Sequence, residues 1–337
     1  MTADSQGGST AVALLMRGLL WTNVSARCTN LGQINMSNGA ARNACPYCSG
    51  DAVISVSAPD INRRITPVIF HQWRCTLCQL RFIVNPPEDL GQYYDGEYNH
   101  LWTTLEDLDR IAVPHEHFKI DILLKAKTSG KLLEIGASNG AFCRMAQQAG
   151  FEVHAVELND TCVDFMNNIM GIHAICSADP AAVIQASTEQ YDAICLWHTI
   201  EHLKEPWRVL ELAAARLAPG GVLVIAAPNP DAWQARVLGA RWPHHDMPRH
   251  LFHLPIPWVR ALAPKIGLAV EDITTRDEGS LFWNRFTWAM LMRSWATKER
   301  MRTRLWNFGM FVGRLLQPWE GRQGVGAAYT AILRRGR

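Results

Sequence analysis

Residues 131–140 read Lys-Leu-Leu-Glu-Ile-Gly-Ala-Ser-Asn-Gly, and Glu157 follows seventeen residues after Gly140, within Val-His-Ala-Val-Glu-Leu. An apolar run (Leu132, Leu133, Ile135) leads into a turn with glycines at 136 and 140, and a helical pattern follows. Glycine takes positive φ at little steric cost and lets a main chain come close to a ligand. The second apolar run ends on a carboxylate, which can accept hydrogen bonds from a ribose diol. This spacing predicts a nucleoside pocket at the carboxyl ends of parallel strands. The dinucleotide fingerprint G-x-G-x-x-G fits poorly, because its middle glycine is absent. A generic glycine-rich turn in another doubly wound fold is the plainer alternative.

Other residues could do metal or acid–base chemistry. Cys45-Pro-Tyr-Cys48 and Cys75-Thr-Leu-Cys78 are two C-x-x-C pairs about two dozen residues apart. Each pair sets two thiolates at one turn, and four thiolates close a tetrahedron around zinc with no open position for catalysis. The strand-like runs 52–57, 68–74 and 80–84 complete a zinc-ribbon hairpin pattern; a redox C-x-x-C competes less well in that context. His198-Thr-Ile-Glu201-His202 matches the H-x-x-E-H string of inverzincin proteases. It sits at the end of an apolar strand, which makes that match a coincidence. Pro243-His-His-Asp-Met-Pro-Arg-His-Leu-Phe-His253 gathers four histidines in one loop.

Composition narrows the class. The 337-residue chain is 48% apolar, enough for a sizeable core, and its formal net charge is +2. Nucleic-acid binders usually carry a basic excess, so nucleic acid is not the expected partner. No run of eighteen apolar residues predicts a spanning helix. Residues 11–21 are faintly signal-like, but Arg17 interrupts them and no positive segment precedes them. Nine cysteines, four of them in metal-type pairs, suit a reducing cytoplasm.

The elements that must position these groups follow from periodicity and breakers. Residues 1–40 read as a loose extension; Met36 is a candidate translation start, which intact mass would test. Residues 41–84 form the ribbon, ended by Asn85-Pro86-Pro87. Residues 85–128 are a linker and helical lid; its Tyr93-Tyr94-Asp95-Gly-Glu-Tyr98-Asn-His100 run either lines a pocket or packs in a solvated turn. Residues 129–272 alternate strands (131–135, 152–157, 172–176, 191–197, 221–227) with helices (139–149, 160–170, 205–217, 256–266), which predicts a parallel, doubly wound sheet. Ligands of such sheets bind beyond the strand carboxyl ends, which places Gly136, Glu157, Asp179 and residues 197–202 around one cleft. Residues 273–337 hold Trp-rich amphipathic helices and a final strand. Segment 281–316 mixes rings with arginines; it either packs as a lid on the core or meets a membrane surface or greasy substrate.

The order of segments resembles class I S-adenosylmethionine (SAM) methyltransferases of the broad "methyltransferase 23/11" type with an N-terminal zinc ribbon. The matching pieces are the two cysteine pairs, Glu134-Ile-Gly136-Ala-Ser-Asn-Gly140, Glu157, residues 191–203, residues 217–229 and Asp246-Met-Pro-Arg249-His250-Leu-Phe-His253. They cover about residues 45–270. Ser138 stands where the family usually has glycine. The resemblance implies an α/β fold: a mostly parallel Rossmann-like sheet with a zinc-ribbon module and C-terminal helices. It implies SAM as methyl donor, bound by Glu134, Gly136, Ser138, Gly140, Glu157, Leu158, Asp179 and His198. Glu157 would hold the ribose, and the adenine would lie near Ala178 and Asp179. Zinc would be held by Cys45, Cys48, Cys75 and Cys78.

Methyl transfer needs alignment of nucleophile and methyl group, and a base when the acceptor is a hydroxyl or acidic carbon. His202, His250 and His253 are the candidate bases, and Arg249 and Asp246 would fix an anionic or hydroxylated substrate. Related quinone-pathway O-methyltransferases carry an acidic-x-x-Glu-His run that can hold a divalent ion. A metal at His198, Glu201 and His202 is thus an alternative, less favoured than His198 at the sulfonium side with Glu201 and His202 capping the next helix. The sequence therefore points to a cytoplasmic enzyme that methylates a small molecule, first at oxygen. Carbon methylation of a nucleotide-linked sugar and RNA methylation or binding through the ribbon are the alternatives; oligomeric state is not legible.

Overall fold

The computed structural model describes residues 43–94 and 101–337. The expected extension 1–40, the candidate start at Met36, and Asp95, Tyr98 and His100 lie outside the described residues. The strands are β1 (Asn43–Ala44), β2 (Asp51–Ala58), β3 (Phe70–Cys75), β4 (Arg81–Ile83), β5 (Gly130–Ile135), β6 (Phe151–Glu157), β7 (His173–Cys176), β8 (Tyr191–Trp197), β9 (Leu217–Pro228), β10 (Phe252–His253), β11 (Leu268–Thr274) and β12 (Ala328–Arg335). The helices are α1 (Val113–Ala126), α2 (Ala141–Gln148), α3 (Asp160–Phe165), α4 (Pro180–Ala186), α5 (Pro206–Arg216), α6 (Trp233–Leu238), α7 (Ile256–Leu262), α8 (Glu278–Arg293) and α9 (Glu299–Glu320). Helices α4 and α6 and strands β10 and β11 are additions to the expected elements.

The main sheet has the order β11-β12-β9-β8-β5-β6-β7. Strands β9, β8, β5, β6 and β7 run parallel, whereas β12 pairs antiparallel with both β9 and β11. A mostly parallel α/β sheet is the expected fold class. Its central strands read as near-continuous apolar runs because both faces are covered. Leu132 faces a layer with Phe142, Val153 and Met166, and Leu133 faces the opposite layer with Ile194, Val209 and Leu210.

Both outer segments of the chain join other parts of the fold. The C-terminal strand β12 lies inside the main sheet, between β9 and β11. The N-terminal cysteine-bearing sheet runs β1-β2-β3-β4-β10, and its last strand comes from the loop after Met247. Phe252 sits opposite Phe82 in that pairing. Trp73, Leu80 and Phe82 consequently share one apolar core with Leu196, Leu251 and Trp258.

A buried ion cluster joins the same two layers. The Arg249 guanidinium is fully buried. Its Nε donates to Asp246 Oδ2 (2.9 Å) and its Nη2 to Asp246 Oδ1 (2.8 Å) and Asp60 Oδ1 (2.6 Å). Its Nη1 donates to Asp60 Oδ2 (3.3 Å) and the Tyr93 carbonyl (3.1 Å). Guanidinium has five N–H donors, and all five have acceptors. Asn62, in the loop after β2, donates to both Asp246 and the Pro243 carbonyl.

Helices α8 and α9 form a hairpin pressed together at Gly309 and Gly313. A Cβ on Gly309 would lie 2.5 Å from the Trp288 carbonyl oxygen and the Ala289 Cα. At its base, Glu320 Oε1 accepts from Gln234 Nε2 (3.0 Å) and Trp288 Nε1 (2.9 Å), while Oε2 has no partner. Burial pushes the Glu320 carboxyl up to about 7, against those two donors. A carboxyl raised above its unfolded value of 4.5 favours folding fully below about 4.5 and loses that contribution as pH rises through about 7.

Two outcomes follow from these buried groups. Glu320→Gln should flatten the stability–pH curve and exceed the native chain by about 1–3 kcal/mol at pH near 8, yet match it near 5. Denaturant unfolding at both pH values checks this; an unchanged slope would contradict it. Arg249→Met leaves Asp60 and Asp246 as buried unpaired anions and should cost about 3–5 kcal/mol of unfolding free energy. A loss under about 1 kcal/mol would show that the cluster does not couple the two sheets.

Candidate active site

The turn after β5 takes left-handed backbone at three places: Gly136 (φ 76°), Ser138 (φ 49°) and Gly140 (φ 80°). Glycine suits such positions, and Ser138 occupies one despite its Cβ. Two links tie the turn to β6. Gly136 N donates to the Val156 carbonyl (2.7 Å), and Ser138 N donates to Glu157 Oε2 (2.7 Å). Asn159 N donates to Glu157 Oε1 (2.9 Å), so the carboxylate at the end of β6 is gripped from both sides while remaining 7% exposed. Leu158 beside it is exposed.

The space a side chain would need at Gly136 is held by Thr199, and at Gly140 by Met166 and Met170. Packing as well as positive φ therefore calls for glycine at both positions. Glu134 also lies beneath the turn. Burial pushes its carboxyl up to about 8 despite the nearby Lys119 ammonium, and it accepts from the Cys143 thiol at 2.9 Å. Asp179 is exposed and caps α4, its Oδ1 accepting from Ala182 N at 3.1 Å.

The second half of the site follows β8. His198 takes φ 53°, its ring lies 4.7 Å from Trp283 of α8, and its Nδ1 is 3.5 Å from Glu201 Oε1. Glu201 is 1% exposed, and neither of its oxygens has a well-formed hydrogen bond. Burial alone would raise its pKa, but the facing imidazoles of His198, His250 and His202 bring it down to about 2. Residues 200–202 form a single 3-10 turn, and α5 begins without any side-chain cap. The expected capping role of Glu201 and His202 is thus absent.

Each neighbouring imidazole has one committed nitrogen. His202 Nδ1 faces the Arg249 carbonyl (3.1 Å) and the Tyr94 hydroxyl (3.0 Å), and His250 Nδ1 faces the His244 carbonyl (2.9 Å). A carbonyl only accepts, so both Nδ1 atoms carry a proton, and in the neutral ring it is Nε2 that keeps the lone pair. Burial lowers the His202 pKa to about 4, leaving it neutral at ordinary pH. Glu201, His202 and His250 bring one ligand atom each within 4.8 Å of one another. The metal-capable trio thus includes His250 in place of the expected His198.

Three candidates from the histidine loop are corrected. His253 Nε2 donates to the His244 carbonyl (2.8 Å) and its Nδ1 accepts from Gln72 Nε2 (3.0 Å), so neither nitrogen is left to act as a base. Arg249 spends every donor on Asp246, Asp60 and the Tyr93 carbonyl, and Asp246 accepts from Arg249 and Asn62, so both are committed to the buried cluster. These groups support the site from behind. Asp60 and Gln72, far away in sequence, carried no signal of this role. Trp283 stood out only as one ring in an aromatic stretch.

The four thiols of Cys45, Cys48, Cys75 and Cys78 also lie within 4.8 Å of one another. The Cys45–Cys78 and Cys48–Cys75 sulfur separations are 3.7 and 3.5 Å. A tetrahedron with bonds of about 2.3 Å has edges of about 3.8 Å, so the donor set fits zinc.

Comparison with known proteins agrees with this geometry. Residues 112–273 match the family model described as a methyltransferase domain. A ubiquinone biosynthesis O-methyltransferase of Xanthomonas axonopodis pv. citri is 22% identical over 190 residues, covering 52% of this chain and 71% of that protein. The enzyme of the same name from Xanthomonas oryzae pv. oryzae (strain PXO99A) is 25% identical over 215 residues, covering 59% and 80%. Among solved structures, a SAM-dependent methyltransferase from Archaeoglobus fulgidus has 15% identity and a TM-score of 0.45, covering 67% of this chain and 94% of its own. Glycine turn, terminal glutamate and family match together mark residues 112–273 as a methyltransferase domain of the SAM-dependent kind.

Proposed function

We propose that the chain transfers the methyl group of SAM to a hydroxyl oxygen of a small molecule. The observation that carries this reading is the pair of imidazoles, His202 and His250, each turned by a main-chain carbonyl at Nδ1 and gathered with buried Glu201 beyond the end of β8. The names of the matched relatives support oxygen as the acceptor atom. Glu157 binds the ribose hydroxyls with the lone pairs that its two main-chain donors leave open. Leu158 and Asp179 flank the adenine, and the turn 136–140 encloses the rest of the nucleoside. Glu134, neutral through burial, supports the turn from below.

When bound, SAM supplies an activated methyl on sulfur, so the protein's work is alignment and proton removal. His198 and Trp283 wall the side on which the acceptor enters. His202 is too weak a base at neutral pH, because burial holds its pKa near 4. His250 takes the acceptor's proton on Nε2 as the oxygen–methyl bond forms and the sulfur–methyl bond breaks. Arg249, through its carbonyl, and His244, through its own, fix the tautomers of His202 and His250. The residues in this assignment are therefore His250 as base, His202 and Glu201 as its neighbours, and Asp246, Arg249 and His253 as positioning groups.

A second reading concerns metals. The cysteine cluster holds a structural zinc ion in this proposal. The unpartnered Glu201 carboxylate, with two imidazoles that each donate Nδ1–H to a carbonyl, is also a donor set suited to a divalent ion. Such an ion would make an acceptor hydroxyl more acidic.

Calorimetry with SAM, and transfer of labelled methyl groups into a metabolite pool, test these roles. Glu157→Ala should weaken SAM binding about tenfold or more, and His250→Ala should leave it within about twofold while slowing transfer about a hundredfold. Equal SAM affinity of the native and Glu157→Ala chains rejects the ribose role, and a product with a new carbon–carbon bond rejects O-methylation. Elemental analysis should find zinc that Cys48→Ser loses. A second divalent ion should be lost in Glu201→Gln; if chelation of the native chain leaves transfer unchanged, the Glu201 site holds no catalytic metal.

A further inference from the structure

We infer that the outer face of α9 is a docking surface for an anionic lipid bilayer. Met301, Phe308, Phe311 and Leu315 are 45%, 54%, 53% and 63% exposed. Positions 301, 308 and 315 repeat every seven residues, and 304 and 311 fall between them, so they form one stripe along the helix. The opposite stripe (Gly309, Gly313, Glu320) is buried against α8. Trp295, 53% exposed, sits in the turn between the two helices. Single exposed apolar residues need no explanation, but an aligned stripe of large ones does.

Charge identifies the occupant. Residues 293–320 contain Arg293, Lys298, Arg300, Arg302, Arg304 and Arg314 against two carboxylates. Glu299 is paired with Arg293 and Arg302, and Glu320 is buried. Arg300, Arg304 and Arg314 lie in or beside the stripe, are exposed, and make no ion pair among the described residues. Apolar rings bordered by unpaired guanidinium groups match a surface of anionic headgroups over hydrocarbon, and a helix of this kind lies in the interface plane. A second copy pairing through the same face would bring these cations together. No described helix is long and apolar enough to cross a membrane, so the contact is peripheral. The hairpin also touches the site from its inner side, where Trp283 of α8 meets His198 and His244. The inference does not depend on which atom is methylated.

Sedimentation of the full chain with vesicles tests it, using phosphatidylcholine alone and phosphatidylcholine with equal phosphatidylglycerol. Binding should favour the anionic vesicles and weaken with added salt. The triple variant Phe308→Ser, Phe311→Ser, Leu315→Ser should partition about tenfold less or weaker still, with SAM affinity unchanged as proof of folding. Replacing Arg300, Arg304 and Arg314 by Gln should remove the preference for anionic lipid. No binding to anionic vesicles, or equal binding by the triple variant, overturns the proposal. So does a dimer in analytical ultracentrifugation that the triple variant converts to monomer.

Discussion

The Glu157 carboxylate ties the turn after β5 to the tip of β6. One oxygen takes the amide of Ser138, across the turn, and the other takes the amide of Asn159, in its own strand's exit. A charged acceptor with two main-chain donors is a strong, directional tie. It fixes the left-handed turn against the tip of the neighbouring strand. The register of β5 with β6, from Gly130 opposite Phe151 to Ile135 opposite Val156, delivers both ends to that point. If that register slipped by one residue, Glu157 would face the other side of the sheet.

The histidine cluster beyond β8 is built on a different principle. Its imidazoles are oriented by main-chain carbonyls, and those carbonyls belong to Arg249 and His244, within the loop that leads into β10. That loop is held by a guanidinium whose every donor is satisfied inside the protein. Removing charges from water is costly, and a buried pair survives only with good geometry and complete hydrogen bonding. The cluster has both, and it reaches from the cysteine-bearing layer to the main sheet. The N-terminal layer thereby becomes part of the machinery that aims the histidines, because Asp60, Asn62 and Gln72 all come from it.

Much of the fold was legible because parallel strands between two helical layers leave long apolar runs, as at Leu132–Ile135 and Tyr191–Trp197. The turn at Gly136–Gly140 and the carboxylate of Glu157 were legible for a related reason: left-handed backbone restricts residue type. Strand β11 was missed because Leu268–Thr274 carries Glu271 and Asp272 at the sheet edge, which weakens its apolar pattern. Helix α4 was missed because Pro180 begins it and it spans under two turns. The roles of Arg249, Asp246 and His253 were misread for want of their partners. Asp60 lies 189 residues from Arg249, and Gln72 lies 181 from His253. No local pattern encodes contacts so distant. A polar loop that binds substrate and one that ties two layers together have the same composition.

A crystal structure with S-adenosylhomocysteine bound tests the central claim most directly. The account predicts the ribose hydroxyls within hydrogen-bonding distance of Glu157, with the sulfur directed toward His198 and the Nε2 atom of His250. A ribose held elsewhere, or a sulfur turned away from the His198–His250 side, would contradict it.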